Sequence, residues 1–255
     1  MSETILDVCD LSVERSGKVV IKDVCLHVTE GDFVGIVGPN GSGKSTLLLA
    51  ILGVLKPKSG TIQVYGKPPN SVITNKKIGW VSQAAANLPK NVKITVRELV
   101  KLGTINRANM FDRLNRSSNN RVDEAIRKTG LEDVKHTEVG RLSGGQKQRA
   151  VIARALASEA DFIILDEPMV GIDRDSKNSL LRLLDGLCHE EGKTILMVSH
   201  DLTAIRQTAH RMVFLEETIR FDGPVKSFPG LEKLADLRGI EPVSYTHLRA
   251  HETSQ

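Results

Sequence analysis

Apolar positions in the first part of the chain recur among polar ones at short spacing. Ile5 to Val13 and Asp23 to Val28 read as strands on this pattern, and Phe33 to Val37 (FVGIV) is a compact apolar run typical of a buried strand. A Gly-rich turn follows, then an apolar stretch of helical character, Leu47 to Leu55 (LLLAILGVL). Two more strand-like runs, Thr61 to Val64 and Lys77 to Val81, are separated by the turn signal Pro68-Pro69-Asn70. Between about Ile94 and Val139 the spacing turns helical, as at Val122, Ala125 and Ile126, and the polar stretch Asn106 to Arg121 reads as an exposed loop or frayed helix end.

The alternation of strand and helix then returns. Phe162 to Leu165 reads as a strand, a helix with Leu180, Leu183, Leu184 and Leu187 on one face follows, and Thr194 to Val198 is again strand-like. A short helix after Asp201 and a strand from Met212 to Leu215 complete the pattern. It implies an α/β fold of parallel strands joined by right-handed helical crossovers. We expect one main domain over about residues 1–240, with a helical subdomain inserted at about 90–158. The stretch 244–255 (SYTHLRAHETSQ) has no apolar period, so it is expected to be irregular, and it resembles translated adapter or vector sequence rather than a native end. His247 and His251 stand four apart there, but no carboxylate or cysteine framework accompanies them as a metal site requires.

Composition narrows the classes. With 255 residues, 40% hydrophobic and 26% charged, the chain can bury a sizeable core, and nothing points to disorder or a disulfide scaffold. Cys9, Cys25 and Cys188 form no C-x-x-C pair, which fits a reducing compartment and buried small side chains. The net charge of +4 is spread along the chain and does not argue for nucleic acid. The run LLLAILGVL is too short to cross a bilayer, which takes about 20 residues, and the amino terminus lacks the basic-then-apolar order of a secretory signal. Any membrane function is therefore expected to act through a partner.

The strongest chemical signal is Gly38-Pro39-Asn40-Gly41-Ser42-Gly43-Lys44-Ser45-Thr46, which satisfies G-x-x-x-x-G-K-[ST] between a strand and a helix. Glycines let successive N–H groups point at a phosphate, and the helix amino terminus adds a favourable dipole. Lys44 is suited to the β- and γ-phosphates of ATP and the Ser45 hydroxyl to Mg²⁺. The strand Phe162 to Leu165 ends in Asp166 and Glu167, which places both carboxylates where open α/β sheets bind ligands. Asp166 is expected to hold Mg²⁺ and Glu167 to act as general base on the attacking water. Leu142-Ser143-Gly144-Gly145-Gln146, at the start of a helix, makes a second anion site with no ligand of its own in the chain. Two phosphate sites and one nucleotide per chain suggest a dimer.

With this LSGGQ the sequence resembles the ABC ATPases over about Ile5 to Val225. The resemblance implies a P-loop cassette: a RecA-like core, an antiparallel β subdomain and an inserted helical subdomain. It implies two cassettes head to tail, with ATP between the phosphate loop of one and the signature of the other. It also assigns Gln83 as the Q-loop glutamine that reaches Mg²⁺ and the lytic water, His200 as the switch histidine at the γ-phosphate, and Asp173 as the D-loop acid. Two positions depart from the family. Arg15 stands where an aromatic commonly stacks on adenine, and a guanidinium can also stack on a base; Met169 replaces the usual Thr after Asp166-Glu167-Pro168.

No long coiled coil or zinc module interrupts Lys44 to Ser143, which sets the chain apart from ABC ATPases of DNA repair, and a single cassette sets it apart from translation factors. The segments Ile78 to Gln83 and Val92 to Gly103, with Gly171-Ile172-Asp173 and Ser199-His200-Asp201-Leu202, resemble the zinc and manganese uptake ATPases. That resemblance implies a peripheral subunit on the cytoplasmic face of the membrane, paired with integral-membrane permease subunits and served indirectly by an extracytoplasmic solute-binding protein. Import of iron-siderophore or an amino acid, or export of a lipid or drug, is the alternative.

Overall fold

β1 (Thr4–Arg15) and β2 (Lys18–Thr29) form a long hairpin. Its turn uses Ser16 and Gly17, both at positive φ (50° and 79°), which matches the right-handed twist of the paired strands. Both strands outrun the apolar pattern, because bulges such as that at Asp10 (φ 50°) let the ladder continue through polar residues. β4 (Ser59–Val64) pairs with the other edge of β1, giving a three-stranded antiparallel sheet in the order β2-β1-β4. The computed structural model describes residues 3–71, 74, 77–86, 93–105 and 116–229.

The second sheet has six strands in the order β5-β6-β7-β3-β8-β9. β3 (Phe33–Val37), β5 (Ile78–Val81), β6 (Phe162–Asp166), β7 (Thr194–Val198) and β8 (Arg211–Glu216) are parallel, and β9 (Thr218–Pro224) is antiparallel to β8. Every residue of β3, β6 and β7 is buried, as expected of parallel strands covered on both faces. β9 went unrecognised in the sequence because TIRFDGP is polar and ends in Pro, features an edge strand tolerates.

α1 (Lys44–Ile51) lies between the two sheets, and its Leu47, Leu48 and Ile51 share one core with Leu6, Leu11, Leu26, Ile36 and Ile164. The opposite face of the parallel sheet is covered by α5 (Arg174–His189), α6 (Leu202–Thr208) and part of α4 (Gly144–Leu156). On α5 the buried positions are Leu180, Leu181, Leu184 and Leu187, with Leu183 only partly buried. A third core gathers α2 (Val96–Leu102), α3 (Arg116–Lys128) and α4 around Leu99, Val122, Ile126 and Ala153.

α4 thus has two working faces. Val151, Ile152 and Ala155 join the sheet's core, while Ala150, Ala153 and Ala157, just past its end, join the helical core. Alanines allow the close helix contacts this requires. Of the two readings of Asn106 to Arg121, loop or helix end, the helical one holds from Arg116 on: α3 begins there, its first turns polar because the apolar stripe starts at Val122. Residues 106–115 and the tail 244–255 lie outside the described residues. No described helix is long and apolar enough to cross a membrane.

The cysteines also need correction. Only Cys188 is buried; Cys25 is exposed and Cys9 intermediate, and all three are free thiols. Around this point of the hairpin Leu6, Val8, Leu26 and Val28 are buried, so the period of two turns the intervening Asp7, Cys9, Cys25 and His27 to the outer face.

Candidate active site

β3 runs straight into a loop that needs glycine. Gly43 has φ 99°, and a Cβ there would lie 2.3 Å from the Ile21 side chain of β2, so the loop is pressed against the antiparallel sheet in a conformation side-chain-bearing residues avoid. α1 then begins with no capping side chain and no acidic residue in its first turn. Its leading N–H groups and the dipole behind them are available to an anion.

Lys44 is buried, and its Nζ donates to the carbonyl oxygens of Gly38 (2.8 Å) and Pro39 (2.9 Å). Burial pushes its pKa down, while the charges of Glu167 and Asp166 oppose the shift. Ser45 Oγ donates to Asp166 Oδ1 at 3.4 Å, linking the first turn of α1 to the end of β6. Asp166 is only 8% exposed. Its carboxyl is raised above the ordinary range, chiefly by burial and further by Glu167, against the Ser45 hydrogen bond and Lys44. Two hard oxygen donors lie side by side, one of them costly to ionise without a cation, and this fits Mg²⁺.

Glu167 follows at φ 50°, left-handed for a non-glycine residue, a strained geometry often found at functional sites. Its N–H donates to the Val198 carbonyl of β7 (2.9 Å). Its Oε2 accepts from His200 Nδ1 at 2.8 Å and from the His200 backbone N–H at 3.3 Å. The residue proposed as base and the histidine at the next strand's end are therefore in contact within one chain.

All of these groups but Asp166, which stands behind Ser45, border one open cleft of ≈ 880 Å³, lined by Gly38, Pro39, Asn40, Gly41, Ser42, Gly43, Lys44, Ser45, Thr46, Arg15, Gln83, Glu167 and His200, together with Val20 and Val170. Its size is that of a small-molecule site. Gln83 reaches it from the 3₁₀ turn Gln83–Ala86 that follows β5. Val20 and Val170 were missed in the sequence, the first because β2 starts earlier than its apolar pattern, the second because a lone valine carries no chemical signal. Arg15 lines the cleft from the end of β1. Met169 is 3% exposed and packs into the core beneath α5, so the replacement of Thr is a packing change.

Leu142, Ser143, Gly144, Gly145, Gln146 and Asp173 do not line this cleft. Ser143 caps α4 in a closed box: its Oγ accepts from the Gln146 N–H (3.2 Å), and Gln146 Oε1 accepts from the Ser143 N–H (3.0 Å). Leu142 is buried in the helical core, while Ser143 and Gly144 are exposed. A Cβ on Gly145 would lie 2.4 Å from Ser176 Oγ, so only glycine lets α4 meet α5 here. Asp173 caps α5, accepting from the Ser176 N–H (2.9 Å) and Oγ (2.7 Å).

The family model described as "ABC transporter" matches residues 21–170. The zinc uptake system ATP-binding protein ZurA of Listeria monocytogenes is 36% identical over 224 residues, covering 88% of this chain and 87% of its own. The manganese transport system ATP-binding protein MntB of Halalkalibacterium halodurans is 38% identical over 221 residues, covering 87% and 86%. Among solved structures, cbiO1 from Clostridium perfringens superposes with TM-score 0.78 at 31% identity, covering 88% of this chain and 90% of its own. The cassette MJ0796, in a dimeric post-hydrolysis state with ADP and Pi, gives TM-score 0.73 at 30% identity, covering 88% and 100%. The chain belongs to the ABC transporter family, as an ATP-binding subunit that hydrolyses ATP.

Proposed function

We propose that this subunit powers import of a metal ion, zinc or manganese, through a separate permease. The reading is carried by its similarity, over most of both chains, to relatives named for zinc and manganese uptake. Two cassettes would work as a dimer against permease subunits on the cytoplasmic face of the membrane, supplied by an extracytoplasmic solute-binding protein. The working unit would span about residues 1–240, with the helical insertion at about 90–158.

Within the cleft, the loop from Gly38 to Thr46 would cradle the phosphates of ATP, and Lys44 would leave the Gly38 and Pro39 carbonyls for phosphate oxygens. Ser45, Asp166 and Gln83 would hold Mg²⁺, which when bound neutralises phosphate charge. Glu167 would accept a proton from the attacking water, and His200, now paired with Glu167, would turn to the γ-phosphate. Arg15 and Val20 would flank the base. Ser143 Oγ uses its lone pair on the Gln146 N–H, so its O–H remains free to donate to a phosphate of the other cassette, with Gly144 beside it. Asp173 would shape that shared site through the start of α5. Closure follows because ATP binds the joined state better than the open one.

The test is uptake of radioactive zinc and manganese by cells that lack this chain, complemented with wild type or with Glu167→Gln. Wild type should restore uptake of one of the two ions, and Glu167→Gln should not. Uptake of both ions unaffected by the chain's loss would remove the metal assignment.

A further inference from the structure

The outer face of the antiparallel sheet carries a second constellation, away from the residues that line the cleft. Asp7 of β1 stands directly opposite His27 of β2 in the ladder, and Cys9 lies two residues along on the same face. One carboxylate oxygen, Asp7 Oδ1, collects both neighbours: His27 Nδ1 at 2.7 Å and Cys9 Sγ at 3.4 Å. The three donor atoms all lie within 4.8 Å of one another. Zinc bonds of about 2.0–2.3 Å in tetrahedral array put donors roughly 3.3–3.7 Å apart, so small side-chain movements suffice.

The support is stiff. All three residues sit on paired strands, and the His27 carbonyl accepts from Arg211 Nη1 at 2.7 Å, which ties β2 to β8. The positive charge of Arg211 is matched by its ion pair with Asp222. Cys25, two residues before His27, faces the same side, and its sulfur accepts from the Asp10 N–H at 3.1 Å. The thiol proton held between the Cys9 sulfur and the Asp7 carboxylate occupies the place a cation would take.

We propose that Asp7, Cys9 and His27 form a binding site for a zinc-class divalent cation on the outer face of the β1–β2 hairpin. Oxygen, sulfur and imidazole nitrogen together form a donor set suited to zinc. On binding, the Cys9 thiol releases one proton to solvent and its sulfur bonds the metal. His27 gives up the Nδ1 proton that now faces Asp7 Oδ1, to solvent or by tautomeric transfer to Nε2, and binds through the freed Nδ1 with a proton on Nε2. A fourth position remains for water or for Cys25. The site is independent of the metal-uptake reading, because none of its residues belongs to the nucleotide cleft.

A rival cluster, Cys188, His189 and His210, lies at the end of α5. There the Phe33 N–H donates to His210 Nδ1 at 3.3 Å, so His210 Nε2 carries the proton and faces His189 Nε2 at 3.0 Å. A cation between those rings would displace that proton and cost the Phe33 N–H its acceptor.

The test is titration of the full-length chain, kept reduced with a phosphine, with Co²⁺ as a spectroscopic stand-in followed by displacement with Zn²⁺. Wild type should take up one equivalent with a thiolate-to-cobalt charge-transfer band, which Zn²⁺ abolishes. Cys9→Ser should lose that band, His27→Ala should weaken binding at least tenfold, and Cys188→Ser should change neither. Both tested positions of the site are at least partly exposed, so the variants are expected to fold, which circular dichroism checks. A band that survives Cys9→Ser, binding unchanged by His27→Ala, a band that vanishes with Cys188→Ser, or no cobalt bound at all would each overturn the proposal.

Discussion

Two loops in this chain are built from the same materials and finished differently. The phosphate loop and the signature both place Ser and Gly at the start of a helix. At α1 the cap residue is Gly43, with no side chain to satisfy the first N–H groups. At α4 the cap is Ser143, whose box with Gln146 satisfies two of them from within the chain. The first terminus is left open toward a cleft in its own chain; the second is closed on itself and exposes a hydroxyl and a glycine. An uncapped helix start is a strong anion site, whereas a capped one adds a directed donor to a site assembled elsewhere. The difference fits the proposed division, in which the first loop grips ATP and the second completes a site from outside.

Breaking the open side at its chemistry should give the largest effect. Glu167→Gln removes the proposed base and leaves the loop intact, so hydrolysis should fall by about 10²–10⁴-fold while ATP binding survives, as measured by phosphate release and equilibrium binding. In that same background ATP should accumulate a dimer visible by sedimentation. Adding Ser143→Arg should abolish the dimer and spare ATP binding by the single chain. A double variant that still dimerises on ATP would show that the signature faces no partner.

A subtler effect sits behind the open loop. Burial and Glu167 raise the Asp166 carboxyl above the value it has in the unfolded chain. Over the pH range between those two values the folded state binds more proton, so stability falls as pH rises through it. Asp166→Asn removes the cost of that buried charge. The variant should melt about 2–4 °C higher for each kcal/mol gained and should lose hydrolysis, the pattern of a residue kept for function at the expense of stability. A lower Tm near neutral pH would contradict the electrostatic account.

Both loops were legible in the sequence as anion sites at helix starts, but only resemblance gave the second its place at a partner's ATP, for a physical reason. Gly41, Gly43 and Lys44 have one sensible use between a buried strand and a helix. The parallel strands were equally plain, since FVGIV, FIILD and TILMV are buried on both faces. Ser143 and Gln146 spell an ordinary capping box, and nothing local says that the serine's hydroxyl has a second task. The base-side wall was half legible: Arg15 stood out as a departure, but Val20 came into view only once β2 was found to start at Lys18. Likewise the pairing of Asp7 with His27 depends on the register of a bulged ladder, which periodicity of two does not fix.

The smallest effect separates the two tasks of Ser143. Ser143→Ala deletes the acceptor for the Gln146 N–H, which should cost about 1 kcal/mol as cap loss generally does, or roughly 2–4 °C in Tm for a domain of this size. Ser143→Gly also lacks the hydroxyl but suits a cap position, and should cost only about a few tenths of a kcal/mol. Both variants remove the same donor from the shared site. If that donor matters to turnover, the two should lose hydrolysis to a similar degree while their melting temperatures differ. If hydrolysis instead tracks Tm, with Ser143→Gly nearly as active as wild type, then Ser143 serves only to start α4, and the signature's contribution must come from the exposed Gly144 and the helix behind it.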